Sequence, residues 1–176
     1  MYDLFSTNPN TAGFRLQYMQ VFNWGTFHDK VYSIRPAGNN SLLTGANGSG
    51  KTTWIDALLT LLVPERRYRF YNQSSGSAKK GDRNEITYVQ GNYGDIIEEE
   101  SQATVLQKLR PEKATTYSIL LVCFQNANKE NVTLFQARWF VGNDLRRLHG
   151  IATKALGIEE DFLPFDPKGR WKANLE

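Results

Sequence analysis

Alternation of apolar and polar positions starts at Phe14. Phe14, Leu16 and Tyr18 are interleaved with Arg15 and Gln17, and Val21 and Phe22 extend the run. A period of two predicts a strand. Asn23, Trp24 and Gly25 read as a turn, and residues 27–34, with Val31, Tyr32 and Ile34, as a second strand, so 14–34 is an antiparallel pair. Residues 36–40 have turn composition, and 41–44 read as a short third strand that runs into glycines. From Lys51 the period changes. Trp54, Ile55, Leu58, Leu59 and Leu62 recur at helical spacing, and Pro64 stops the helix because it lacks an N–H donor. Residues 85–90 fit a short strand or a helix start, and 91–94 a turn. An apolar strand over 117–124 and a second over 132–141 flank a polar hairpin loop. Residues 145–156 fit a helix, and 145–152 fit a strand nearly as well. No internal repeat is present. Residues 1–13 read as a flexible leader, 14–165 as one folded lobe, and 166–176 as a tail leading towards a coiled coil or the engineered end of a fragment.

Composition changes this picture little. Hydrophobic residues make up 40% of the 176 and charged residues 22%, which excludes wholesale disorder. The longest apolar runs are about six residues, against the roughly 20 that span a bilayer. The first residues lack the basic and apolar run of a secretory signal, and the single cysteine, Cys123, cannot form an internal disulfide. Both favour a cytoplasmic protein. Cys123 lies in an apolar strand and reads as core. His28 and His149 are isolated, without the spacing of a zinc site.

Charge is more informative in its distribution than in its total of +3. Residues 1–63 carry a net +1, 64–84 a net +4, and 85–176 a net −2. The excess sits in Arg66, Arg67, Arg69, Lys79, Lys80 and Arg83, interleaved with Tyr68, Phe70 and Tyr71. This stretch is a candidate DNA-phosphate contact, and equally a solvated basic loop.

The chemistry lies between the third strand and the helix. Gly45, Ala46, Asn47, Gly48, Ser49, Gly50, Lys51 and Thr52 match G-x-x-x-x-G-K-[ST], the phosphate-binding loop. Glycines let the backbone curl so that successive N–H groups face one anion. The helix start adds its positive dipole end. Lys51 is expected at the β- and γ-phosphates of ATP, Thr52 on Mg²⁺, and Thr53 beside the α-phosphate. The ligand set also implies what is missing. No apolar strand ends in Asp-Glu: residues 119–124 lead into Gln125-Asn126, and no Ser-Gly-Gly signature segment occurs. The chain reads as half of a nucleotide site. The rival readings are a self-contained small P-loop kinase or NTPase, with Arg66, Arg67 and Arg69 imitating a lid, and a non-catalytic nucleotide-binding module.

Two strands ahead of the loop are typical of the ATP-binding-cassette head, an α/β P-loop fold with an antiparallel β-subdomain beside the P-loop strand and helix. Residues 21–27 (Val-Phe-Asn-Trp-Gly-Thr-Phe), 43–53 and 61–65 (Leu-Leu-Val-Pro-Glu) resemble the N-terminal head segment of SMC-type ATPases. The Asn-Trp pair and the proline after the helix resemble the MukB-like branch. Residues 88–94 look like the JetC, or MksB-type, subunits of Wadjet plasmid-defence systems. The resemblance is strong over 14–94 and looser over 95–165. It implies a C-terminal lobe, a second head sandwiching ATP, DNA, and kleisin, winged-helix and nuclease subunits. It places Asn23 and Trp24 near the nucleotide, where Trp24 flanks the adenine or serves as a core aromatic. It also implies a glutamine in the Mg²⁺ shell, for which Gln125 and Gln136 are candidates.

Overall fold

A computed structural model of the protein describes residues 13–63, 65–69, 71, 83–97 and 104–163. In chain order its elements are β1 (Arg15–Trp24), β2 (Phe27–Ile34), α1 (Lys51–Leu62), α2 (Glu85–Gln90), β3 (Asn92–Ile97), β4 (Thr104–Lys108), β5 (Tyr117–Gln125), β6 (Asn131–Val141), β7 (Asp144–Ala152) and α3 (Ile158–Asp161). The result is an α/β P-loop fold dominated by one antiparallel sheet. That sheet has the order β2-β1-β5-β6-β7, and β3 and β4 form a separate two-stranded ribbon.

The two expected antiparallel strand pairs form. β1 pairs with β2 from Met19↔Ile34 to Trp24↔Phe27, and β5 with β6 from Tyr117↔Trp139 to Gln125↔Asn131. Their union is a long-range event: β1 lies beside β5, with Phe22 opposite Ile119. This explains the unbroken apolar run of β5, because a central strand with both faces covered has no polar side to display. Leu120 and Val122 join Met19, Val21 and Trp24 under α1. Ile119 and Leu121 join Phe22 on the opposite face, beneath Leu156 and Ile158.

Two ambiguities resolve by local chemistry. Residues 85–90 are helical. The Asn84 side chain accepts from the Thr87 N–H at 3.1 Å, the Thr87 hydroxyl accepts from the Asn84 N–H at 2.9 Å, and Gly91 closes the helix at φ 68°. The strand β3 begins directly after Gly91, so the expected turn shrinks to one residue. Residues 145–152 belong to a strand, because Gly142-Asn143 is a two-residue hairpin turn that puts Asp144 opposite Val141.

Two expectations are corrected. Residues 41–44 form no strand; they are irregular and exposed, with Leu42 87% accessible. A strand needs a hydrogen-bonding neighbour, and no described strand lies alongside this segment. The helix α1 also faces the sheet differently from its apolar stripe. Trp54, Ala57 and Leu61 are buried with Asp56 and Thr60, whereas Ile55 and Leu62 are 46% and 47% exposed. The sheet covers only one flank of a stripe that is wider than the contact. Among the described residues no helix is long and apolar enough to cross a membrane. Residues 1–12 of the leader, the tail and the acidic run 98–100 fall outside the described residues.

Candidate nucleotide site

The phosphate loop lies between residues 41–44 and α1. Gly45, Gly48 and Gly50 all have positive φ, at 153°, 81° and 90°. At Gly50 two constraints coincide: the backbone is left-handed, and an added Cβ would come within 2.7 Å of the Phe27 ring. No side chain fits there without moving a core aromatic. The Lys51 ammonium folds over the loop and donates to the carbonyls of Gly45 at 2.6 Å and Ala46 at 2.8 Å. Residues 45–49 are exposed, and Gly50, Lys51, Thr52 and Thr53 are half-buried. The first turn of α1 carries no acidic residue, so no carboxylate opposes an anion at the helix start. Thr52 and the nucleotide's own oxygens are the kind of oxygen donors that suit Mg²⁺.

The loop is held from behind by the β1–β2 turn. A Cβ at Gly25 would lie 2.9 Å from Thr53 Cγ2, so the turn and the helix start are in close contact. Phe27 packs against Trp54 at a ring separation of 5.1 Å. The Gly25 N–H donates to the Tyr88 carbonyl at 2.8 Å, tying this turn to α2.

Asn23 and Trp24 sit in this scaffold, not in a nucleotide pocket. Trp24 is fully buried, stacked on Tyr88 at 4.7 Å and 6° between planes, with the Arg138 guanidinium 5.4 Å from its ring. Its position as an adenine platform is therefore corrected: both faces are occupied by protein. Asn23 adopts φ 53°, and its side chain accepts from the Asp29 N–H at 2.9 Å, while its carbonyl accepts from the Ser118 hydroxyl. It shapes the hairpin.

The glutamine candidates are also corrected. Gln125 is paired with Arg15 at the start of β1, whereas the loop touches Phe27 beside Trp24 at its end. Nine strand residues separate the two, about 30 Å. Gln125 instead donates to Asn131 at 3.1 Å. Gln136 donates to the Thr60 carbonyl at 2.8 Å, at the end of α1 opposite the loop.

The basic stretch divides. Arg66 and Arg67 are exposed in a 3₁₀ turn, with Arg67 2.6 Å from Glu65. Arg69 is removed from the candidate DNA contacts, because its side chain is fully buried and ion-paired with Glu85. Arg83 is half-buried, and Lys79 and Lys80 lie outside the described residues. Glu85 also meets Arg138 and Arg147, both at 3.6 Å. Burial alone would raise the Glu85 carboxyl, but Arg138, Arg69 and Arg147 outweigh it and hold it below its usual range. Burial pushes the Arg138 guanidinium down to about 10, which leaves it charged at neutral pH.

Reading along the chain did not single out this network. One signal was available: Arg138 interrupts an apolar strand between Ala137 and Trp139. Arg147, 37% exposed, brings β7 against Glu85, a distant neighbour in the chain that no local pattern announces.

Residues 16–78 match the family described as the P-loop containing region of AAA domain. No curated protein matches the chain. Among solved structures, one from a study of the structural biochemistry of ATP-driven dimerization and DNA stimulated activation of SMC ATPases is similar over 85% of this chain and 78% of that one, at 18% identity and a TM-score of 0.47.

Proposed function

We propose that this chain is the ATP-binding N-terminal lobe of an SMC-like ATPase head. The observation behind the reading is the pairing of a glycine-bent phosphate loop with a preceding segment, 41–44, that is exposed and has no strand beside it among the described residues. In this reading the backbone from Gly45 to Gly50 cradles the phosphates of ATP. Lys51 exchanges its two carbonyl partners for phosphate oxygens, Thr52 binds Mg²⁺, and Thr53 supports the α-phosphate. A C-terminal lobe supplies the strands that flank 41–44 and covers the apolar flank of α1 at Ile55 and Leu62. That lobe also supplies the acid that positions the attacking water, and a second head supplies the signature segment across the sandwiched nucleotide.

Coupled to coiled-coil arms, such a head drives DNA translocation or loop extrusion, in plasmid defence of the Wadjet type or in chromosome maintenance. Kleisin, winged-helix and nuclease subunits are the corresponding partners, in the cytoplasm. The exposed Arg66 and Arg67, with Lys79, Lys80 and Arg83, are the DNA-facing set.

The test is equilibrium binding of a fluorescent ATP analogue with Mg²⁺ to the purified chain, alongside phosphate release. The expected result is saturable binding that Lys51→Ala weakens, with no turnover above background. Robust turnover lost in Lys51→Ala would contradict the half-site. Absence of binding at millimolar nucleotide would remove the nucleotide reading altogether. In the complete complex, neutralising Lys79, Lys80 and Arg83 should weaken DNA binding and flatten its salt dependence. An unchanged salt slope rejects the DNA-facing assignment.

A further inference from the structure

Arg110 is a buried guanidinium whose acceptors among the described residues are four carbonyls and one imidazole nitrogen, with no carboxylate. Its Nε donates to the Val89 carbonyl at 2.7 Å, and its Nη2 to the carbonyls of Gly25 at 2.8 Å and Tyr88 at 3.0 Å. Its Nη1 reaches the Phe27 carbonyl at 3.4 Å and His28 Nδ1 at 3.2 Å. The backbone of Arg110 is held too, its N–H donating to the Gln90 carbonyl at 3.0 Å. Gly91 leaves the room: a Cβ there would lie 2.7 Å from Nη2 and 2.8 Å from the Gly25 carbonyl.

A charge buried without a counter-charge is costly and is tolerated when hydrogen bonds satisfy all its donors. Burial lowers the guanidinium to about 10, and it remains protonated at neutral pH. What these bonds join is specific. On one side is the end of α2, and on the other is the β1–β2 turn, at Gly25 and Phe27. Those two residues are the ones in contact with Thr53 and Gly50. The contacts therefore run without a gap from Arg110, through the turn, to the start of α1.

We propose that Arg110 is a positioning residue for the phosphate loop: it fixes the β1–β2 turn as the backstop against which Gly50 and Thr53 are set. The proposal rests on the nucleotide-binding reading of that loop. Lysine at this position keeps the charge but cannot fork to Gly25, Tyr88 and Val89 together. A turn freed from its clamp lets the loop sample other conformations, and affinity falls by the fraction of time the binding-competent one is lost.

The experiment compares the whole chain with Arg110→Lys, Arg110→Met and a Leu121 variant, Leu121→Val or Leu121→Ala, matched to them in thermal midpoint. Leu121 packs on the face of the sheet away from the loop. Two quantities are read: affinity for Mg²⁺ and ATP, and hydrogen exchange of the peptide covering 45–53 without nucleotide. Both Arg110 variants should bind about tenfold more weakly, the size of loss typical when a supporting shell is removed. Their loop should exchange about tenfold faster than in the Leu121 control. Binding and exchange equal to those of the control overturn the proposal. A wild-type chain that binds no nucleotide defeats the nucleotide reading instead, and loop exchange still decides on Arg110. If the Arg110 variants do not fold, Phe27→Leu keeps the backbone acceptors and removes the ring behind Gly50. Unchanged affinity and loop exchange in that variant overturn the proposal as well.

Discussion

Two polar regions of this molecule behave oppositely. The phosphate loop is exposed and satisfies its cation internally, Lys51 against the carbonyls of Gly45 and Ala46. The cluster around Glu85 is buried, and its charges satisfy one another: Arg69 and Arg138 have fully buried side chains, and Glu85 has 3% of its own exposed. In the first region the partners of the charge are neutral and solvent is at hand, so an anion can take their place. In the second, exchange would strand an ion in a low dielectric. A basic residue near a binding loop is available to a ligand only if its present partners are weak. That is why Arg66 and Arg67 remain candidates for DNA and Arg69 does not.

The contrast is broken most strongly from the buried side. Glu85→Gln leaves Arg69 and Arg138 without their carboxylate and should destabilise the fold by about 3 kcal/mol in denaturant unfolding. Nucleotide affinity of the fraction that remains folded should be unchanged. The same carboxylate gives an acid dependence. Its folded pKa is depressed, so its stabilisation is present above the ordinary value of 4.5 and is lost as pH falls through the lower folded value. Stability measured from pH 6 downwards should therefore fall more steeply in wild type than in Glu85→Gln. Parallel curves would show that Glu85 is not the titrating group.

The exposed side should respond in the reverse manner. Lys51→Ala should weaken Mg²⁺ and ATP binding about thirtyfold, ~2 kcal/mol, and move unfolding stability by no more than about 0.5 kcal/mol. A large loss of stability would mean that the Lys51 contacts hold the loop together, and the contrast would collapse. The smallest effect is expected at Gln125→Ala. At the far end of the sheet it should change stability by under about 0.5 kcal/mol and leave nucleotide affinity within about twofold. A strong loss of affinity there would contradict the distance between Gln125 and the loop.

Whatever depends on near neighbours was legible along the chain. The period-two run at 14–22 became β1 and the apolar runs at 117–124 and 132–141 became β5 and β6, because such patterns are properties of a single strand. The phosphate loop was legible because its glycines, lysine and threonine are contiguous and its curl needs φ values that glycine supplies. Pro64 marked a helix end for a similarly local reason. Tertiary structure decided whatever depends on partners far along the chain. Trp24 became core because Tyr88 and Arg138 cover its faces, 64 and 114 positions further on. The segment 41–44 had the composition of a strand and lacked the neighbour that makes one. Arg110 has no pattern around it, and its five acceptors lie as far as 85 residues away. Local order follows from backbone sterics and periodicity. The role of a charged or aromatic side chain follows from what folding places against it.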